Sequence, residues 1–183
     1  MTDPVLFVLA HPDLTSSRAN KALAAAGAAV PGVTTLDLYT EYPDLFVDGF
    51  AEKRRIAPAS AIVIQMPIFW YSGPGLLKEW MDRTFTAGWA YGVDDRMVAG
   101  KSLLLSMTTA SDSGAWSPTG IHGAPVMDYM RPFQQFAAFC GMTWLEPLVF
   151  YAARTASKAA LDAHAATLAA RLAELAGERT DGQ

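Results

Sequence analysis

The sequence of 183 residues holds one cysteine, Cys140, so it can form neither an intramolecular disulfide nor a cysteine metal cluster. Charge is also sparse: 17% of residues are Asp, Glu, Lys or Arg, and the formal net charge is −4. Nucleic-acid binding needs clustered cations. The one basic run, Lys53-Arg54-Arg55, reads instead as decoration of a solvated helix. No segment reaches 18 apolar residues, the length a spanning helix requires. Val5–Ala10 is apolar but short, and no basic segment precedes it, so it is not expected to be a signal peptide. A reduced, cytoplasmic setting follows as the expectation. "AGKS" at 99–102 fails as a P-loop, because Asp95 occupies the position of the leading glycine and a strand follows the segment instead of preceding it. Lys101 therefore reads as a solvent-exposed strand entry.

What is present is an alternation of strand and helix patterns. Val5–Ala10, "VTTLDL", "AIVIQM", "SLLLSM" and "WLEPLVF" read as five strands, several of them apolar on both faces as in a central parallel sheet. Between them lie an Ala-rich helix capped by Ser17, a short helix "FAEKRRIA", and a helix opened by Pro74 and Gly75. In that third helix Leu76, Leu77, Trp80, Met81 and Phe85 share one stripe. A helix over "VMDYMRPFQQFAAFC" holds Pro132 in its first turns or at a kink. A last helix over roughly 157–176 faces inward through Leu161, Leu168, Leu172 and Leu175. The pattern predicts a single α/β domain over 1–177, a doubly wound five-stranded parallel sheet with helices on both faces, and a short tail at 178–183. Cys140, in "FAAFCGM", reads as a buried structural thiol.

Ligands of such sheets bind beyond the carboxyl ends of the strands, near the switch point. Three loops therefore carry the functional question. "HPDLTSSRAN" places Thr15, Ser16 and Ser17 at a helix start, where free N–H groups and hydroxyls suit a phosphate, although plain capping explains one of the three. It lacks the G-x-G-x-x-G fingerprint of dinucleotide binding. "PIFWYSGPG" sets Phe69, Trp70 and Tyr71 at a strand end, as walls for a flat ring or as cover for the sheet edge. "TTASDSGAWSPTGIHG" adds Thr108, Thr109, Ser111, Ser113 and Ser117, with Trp116 and His122. Together they suit a phosphate-bearing planar cofactor such as a flavin mononucleotide, without separating it from other nucleotides. No residues suggest a metal site.

Four blocks, in order and at matching spacing, resemble the flavodoxin-fold NAD(P)H:quinone oxidoreductases. They are "HPDLTSSRAN", "QMPIFWYSGPGLLKEWMDRTFTAGWAYG", "TTASDSGAWSPTGIHG" and "FCGMTWLEPLVF", within about residues 4–150. "GWAYG" and the short length are most similar to the bacterial branch that includes the ancillary subunits of glutathione-regulated potassium efflux. The longer mammalian-type enzymes carry an extra C-terminal segment and bind FAD, so the resemblance implies FMN, with FAD as the alternative. It implies a flavodoxin-like fold and transfer of a hydride from NAD(P)H to the flavin, then of two electrons to a quinone or similar acceptor.

Position by position, the resemblance implies phosphate-side contacts at His11, Ser17, Arg18, Ala19 and Asn20. It implies ring contacts at Pro67, Ile68, Phe69, Trp70 and Tyr71, with the backbone N–H groups of 68–71 steadying the flavin. Thr108, Thr109, Ala110 and Ser111 match a loop that usually reads Thr-Thr-Gly-Gly. Ala110 would be strained if that loop needs a positive φ. Trp116 stands where the mammalian-type enzymes have a Tyr, and His122 matches the histidine paired with it. An indole donates one hydrogen bond and relays no proton, so His122 is the catalytic candidate, with Trp116 walling the substrate slot. The resemblance further implies a homodimer with "FTAGWAYG" at its interface, although core packing also accounts for Trp89 and Tyr91. Two other readings stay open. One is a regulatory subunit of a potassium-efflux transporter, peripheral at the inner membrane. The other is a flavodoxin-type one-electron carrier.

Overall fold

The computed structural model describes residues 4–93 and 96–177; the expected tail at 178–183 lies outside them. β1 (Val5–Leu9) is followed by a 3-10 turn at Leu14–Ser16, α1 (Arg18–Ala28), β2 (Val33–Asp37), α2 (Leu38–Glu41) and α3 (Gly49–Ile56). Then come β3 (Ala61–Pro67), α4 (Gly75–Thr84), β4 (Ser102–Thr108), α5 (Val126–Tyr129), α6 (Arg131–Phe139), β5 (Thr143–Trp144), β6 (Leu148–Phe150) and α7 (Lys158–Gly177). The sheet runs β2-β1-β3-β4-β5, with β6 also pairing β4, and every pairing between these strands is parallel. Chain order reverses at β1, so the switch point lies at the carboxyl ends of β1 and β3.

Alternation along β1 builds both layers. Val5 and Phe7 pack with Leu23 of α1 and with Leu161, Leu168, Leu172 and Leu175 of α7. Leu6 and Val8 face the opposite layer, with Ile56 of α3, Leu77 and Trp80 of α4, and Phe133 of α6. Cys140 is buried there, and desolvation raises its thiol pKa.

Five features differ from expectation for local reasons. The fifth strand is broken, because Pro147 has no N–H to give the ladder; Leu145 still bonds Leu103 O, and pairing resumes at Leu148. The helix expected over 126–140 splits at Met130, since Pro132 cannot continue a helix arriving from α5 but suits the first turn of α6. Leu38 starts a helix instead of ending a strand, because the Asp37 carboxylate caps Tyr39 N and Thr40 N. Lys101 is half-buried, with its ammonium donating to the carbonyls of Ala57 and Ala59. In the basic run only Arg54 is fully exposed: Lys53 donates to Thr86 Oγ1, and Arg55 pairs with Glu52 and Glu41.

Candidate functional site

A cleft of about 580 Å³ opens at the carboxyl ends of β1, β3 and β4. Its walls are His11, Ser16, Ser17, Arg18, Ala19 and Asn20 on one side, and Pro67, Ile68, Phe69, Thr108, Thr109 and Ala110 on the other. Ala153 and Arg154, from the segment after β6, complete it. The strand-end rule that selected the other loops applies equally to this one, whose Arg154 was missed in "VFYAAR".

The phosphate-side loop is organised by Asp13. Its carboxylate accepts from Thr15 Oγ1 (2.6 Å) and Ser16 N, and its carbonyl from Ser16 Oγ. Thr15 is thus spent locally, while Ser16 and Ser17 remain on the cleft wall. Ser17 caps α1 by accepting from Asn20 N (3.3 Å) and also from Asn20 Nδ2 (3.0 Å), which leaves its own O–H to donate. The first-turn N–H groups of Arg18 and Ala19 add the positive end of the helix. The Arg18 guanidinium donates to Ala156 O, tying α1 to the segment that carries Arg154.

Beneath the cleft lies a buried amide network. Gln65 Nε2 donates to Asn20 Oδ1 (2.8 Å), and Asn20 Nδ2 donates to Thr108 Oγ1 (3.0 Å). Asn20 is thereby locked to β3 and β4 as well as to its own cap. His11 Nδ1 accepts from Asp13 N (3.1 Å), so its proton sits on Nε2. Burial lowers the His11 pKa, against the opposing pull of Asp13 and Asp37.

The aromatic loop turns more tightly than its sequence suggests. Phe69 and Ser72 exchange both backbone hydrogen bonds (2.8 and 3.0 Å), and Trp70 and Tyr71 between them hold φ of 49° and 65°. Those are left-handed values that L-residues seldom adopt. Trp70 is 93% exposed. The geometry also narrows the implied flavin contacts: Ile68 N is spent on Thr108 O and Phe69 N on Ser72 O. Of the four N–H groups expected to serve, those of Trp70 and Tyr71 are left.

In the loop after β4, Ala110 is not among the residues with positive φ, so the strain considered for it does not arise. Thr109 N bonds Phe150 O, and Thr109 Oγ1 bonds Ser111 O. Further on the loop closes on itself through Ala115 N to Asp112 Oδ1 and His122 N to Ala115 O. Gly120 is needed there, since a Cβ would sit 2.3 Å from Ala115 O. Trp116 is buried beneath His122, with ring centroids 3.9 Å apart and planes 24° from parallel. Tyr71, Trp116, His122 and Ser111 lie beyond Phe69 and Ala110 as a cluster at the rim, and none of them lines the cleft itself. Trp89 and Tyr91 pack, half-buried, against the core layer of α3 and α4.

The comparisons agree with this geometry. Residues 4–172 match the model of a family described as having a flavodoxin-like fold. The glutathione-regulated potassium-efflux system ancillary protein KefG of Cronobacter sakazakii is 40% identical over 163 residues, 89% of each chain. General stress protein 14 of Treponema denticola, solved in complex with FMN, superposes with a TM-score of 0.87 at 30% identity, covering 94% of this chain and 99% of that one. A structure from Klebsiella pneumoniae, provisionally described as a quinone reductase, gives 0.81 at 26% identity, covering 95% and 85%. Sheet order, cleft position and these matches converge: the chain belongs to the flavodoxin-like fold family.

Proposed function

We propose that this chain is an FMN-dependent NAD(P)H:quinone oxidoreductase. One observation carries the reading: a single cleft at the switch point joins an anion-seeking helix end to a flat slot between two strand-end loops. The donor set fits FMN. Ser17 O–H, the first-turn N–H groups of α1, Arg18 and Arg154 suit a phosphate. Ile68 and Phe69, facing Thr108–Ala110, suit a planar ring.

Bound there, FMN would supply two-electron exchange between NAD(P)H and a quinone, which side chains cannot perform. The protein's part is placement. Asn20, fixed by Gln65 and Thr108, keeps the Ser17 cap rigid, so the phosphate donors need no reorganisation. The N–H groups of Trp70 and Tyr71, left free by the turn, would be available to the ring. His122, beyond the cleft wall, would offer a ring N–H toward the reacting edge of the bound group. Trp116 fixes that imidazole from below and excludes water from one face.

The test is purification followed by absorption spectroscopy and by NADH and NADPH oxidation with benzoquinone or menadione. The reading expects a yellow protein and quinone-dependent turnover. A protein that takes up neither FMN nor FAD overturns it. One that binds flavin yet oxidises no NAD(P)H meets the one-electron carrier instead.

The 40% identical relative named as a potassium-efflux ancillary protein favours a second role, as a regulatory subunit peripheral at the membrane. Among the described residues no helix is long and apolar enough to cross a membrane; in this second role the chain would dock on the transporter itself. Retention on membranes only when an efflux transporter is co-expressed would support it; equal retention without one would not. Light scattering at micromolar protein tests the homodimer that belongs to both readings.

A further inference from the structure

The His122 imidazole has a partner at each ring nitrogen and on one face, and the groups that hold the residue come from three separate segments. Its Nε2 lies 3.1 Å from Ser111 Oγ and its Nδ1 lies 3.4 Å from the Tyr71 hydroxyl. Trp116 stacks on one face, and the Tyr71 ring meets it edge-on at 5.7 Å and 78°. Its backbone is pinned as well, with His122 N donating to Ala115 O and His122 O accepting from the Tyr129 hydroxyl. A histidine on a long surface loop does not need so many constraints for packing alone.

Trp116 cannot contribute a hydroxyl to this arrangement, and its Nε1–H is buried with no partner among the described residues. The phenol that reaches a His122 ring nitrogen arrives instead from the turn after β3. Tyr71 gets there only because the two-residue turn holds it at a φ of 65°. Left-handed strain at a bulky residue persists where the surroundings over-determine it, and it clusters at functional sites. Here the surroundings are visible: the Tyr71 ring packs on Tyr129 at 4.7 Å and on Trp116 at 5.9 Å.

We propose that Tyr71 and Ser111 are positioning residues for His122, one at each of its ring nitrogens. A phenol is a stronger hydrogen-bond acid than an aliphatic alcohol, so Tyr71 O–H donates to Nδ1. That fixes the imidazole proton on Nε2, from which it donates to Ser111 Oγ. The Ser111 hydroxyl then keeps its own proton free, one residue beyond Ala110 of the cleft wall. The chain of donors runs one way, Tyr71 to His122 to Ser111, and it sets both ring orientation and tautomer.

The catalytic half of the proposal rests on the oxidoreductase reading, but the structural half does not, so the experiment has two arms. The first is long-range 1H–15N NMR of the histidine side chains in flavin-free protein at alkaline pH, with His122 assigned through His122→Gln. Wild type is expected to show His122 as the Nε2–H tautomer. Tyr71→Phe should shift it toward a tautomer mixture while His11 and His164 stay unchanged. Tyr71 is 41% exposed and Phe keeps its ring, so the variant should fold, which circular dichroism checks. An Nδ1–H tautomer in wild type, or an unchanged tautomer in Tyr71→Phe, overturns the proposal whether or not the protein is an enzyme.

The second arm is quinone-dependent turnover of the FMN-loaded protein. Tyr71→Phe and Ser111→Ala should each lower kcat about 2- to 10-fold, the worth of one neutral hydrogen bond. KM for NAD(P)H and FMN affinity should not change, and Ser111→Thr should keep kcat. Loss of FMN affinity in parallel with kcat would show a merely structural role and sink the catalytic half.

Discussion

The imidazole of His122 lies on the indole of Trp116 with 3.9 Å between ring centroids, and both belong to one loop that closes through His122 N and Ala115 O. The catalytic candidate is therefore carried by a buried aromatic platform instead of a free side chain. Removing the platform should cost more than removing the imidazole. Trp116→Ala should destabilise the fold by about 3–5 kcal/mol, as for other large buried aromatics, while His122→Ala stays near wild type. Calorimetry on both variants decides this.

The cation pair at the cleft mouth gives a ligand-specific prediction. Arg18→Ala and Arg154→Ala should each weaken FMN binding by about 1.5 kcal/mol, roughly tenfold. Riboflavin, which lacks the phosphate, should bind both variants as it binds wild type. Fluorescence titration with the two flavins separates a phosphate contact from general damage. Equal losses for both would remove the arginines from the phosphate site.

Trp70 offers a test of strain. A left-handed residue costs about 1–2 kcal/mol, whereas glycine gives back only about 0.5–1 kcal/mol through unfolded-chain entropy. Trp70 is almost fully exposed and loses no packing. Trp70→Gly should thus leave the melting temperature unchanged or raise it, while FMN affinity falls. A variant that loses stability and keeps its affinity would mark the turn as structural.

His11 sets a pH dependence. Burial lowers its folded-state pKa below the ordinary value of 6.5, with Asp13 and Asp37 opposing. The unfolded chain then takes up this proton first as pH falls. Stability should decline as pH drops below about 6.5, until the folded-state pKa is passed. Above that range His11 contributes no slope. His11→Gln should flatten this part of the profile in thermal melts, and an NMR titration of its ring should show the low midpoint directly. A midpoint at or above 6.5 would contradict the assignment.

A fifth site concerns the scaffold. Glu52 is fully buried and accepts from the Tyr42 hydroxyl (2.7 Å), Arg55 Nη1 (3.1 Å) and Trp80 Nε1 (2.8 Å). Glu52→Ala leaves those donors unmatched and should cost about 3–5 kcal/mol. Thermal unfolding should show the loss even with flavin bound.

The layer order was legible in the sequence because buried parallel strands are continuous apolar runs, and Val5–Ala10 and "AIVIQM" are unmistakable at that period. Both faces of β1 and the inward leucines of α7 followed from the same patterns. The break in the last strand was less visible, since one proline inside "WLEPLVF" reads as a tolerated edge feature until the ladder is drawn. The cleft loops were found by topology and spacing, whereas their internal bonding was not. Nothing in "PIFWYSGPG" says that Trp70 and Tyr71, rather than the nearby glycines, take the left-handed positions. That choice depends on Tyr129 and Trp116, which sit far away along the chain. The Asp13-centred turn was hidden for the opposite reason: three hydroxyls in a row look alike until their partners are known.

Whether this cleft uses FMN to pass electrons from NAD(P)H to a quinone is decided by one assay. NADH and NADPH oxidation by purified protein is followed with menadione, in the presence and absence of stoichiometric FMN. Multiple turnovers should require both FMN and menadione and should fall when Asn20, the anchor of the Ser17 cap, is changed to Leu. Turnover no greater than that of free FMN at the same concentration would contradict the oxidoreductase reading.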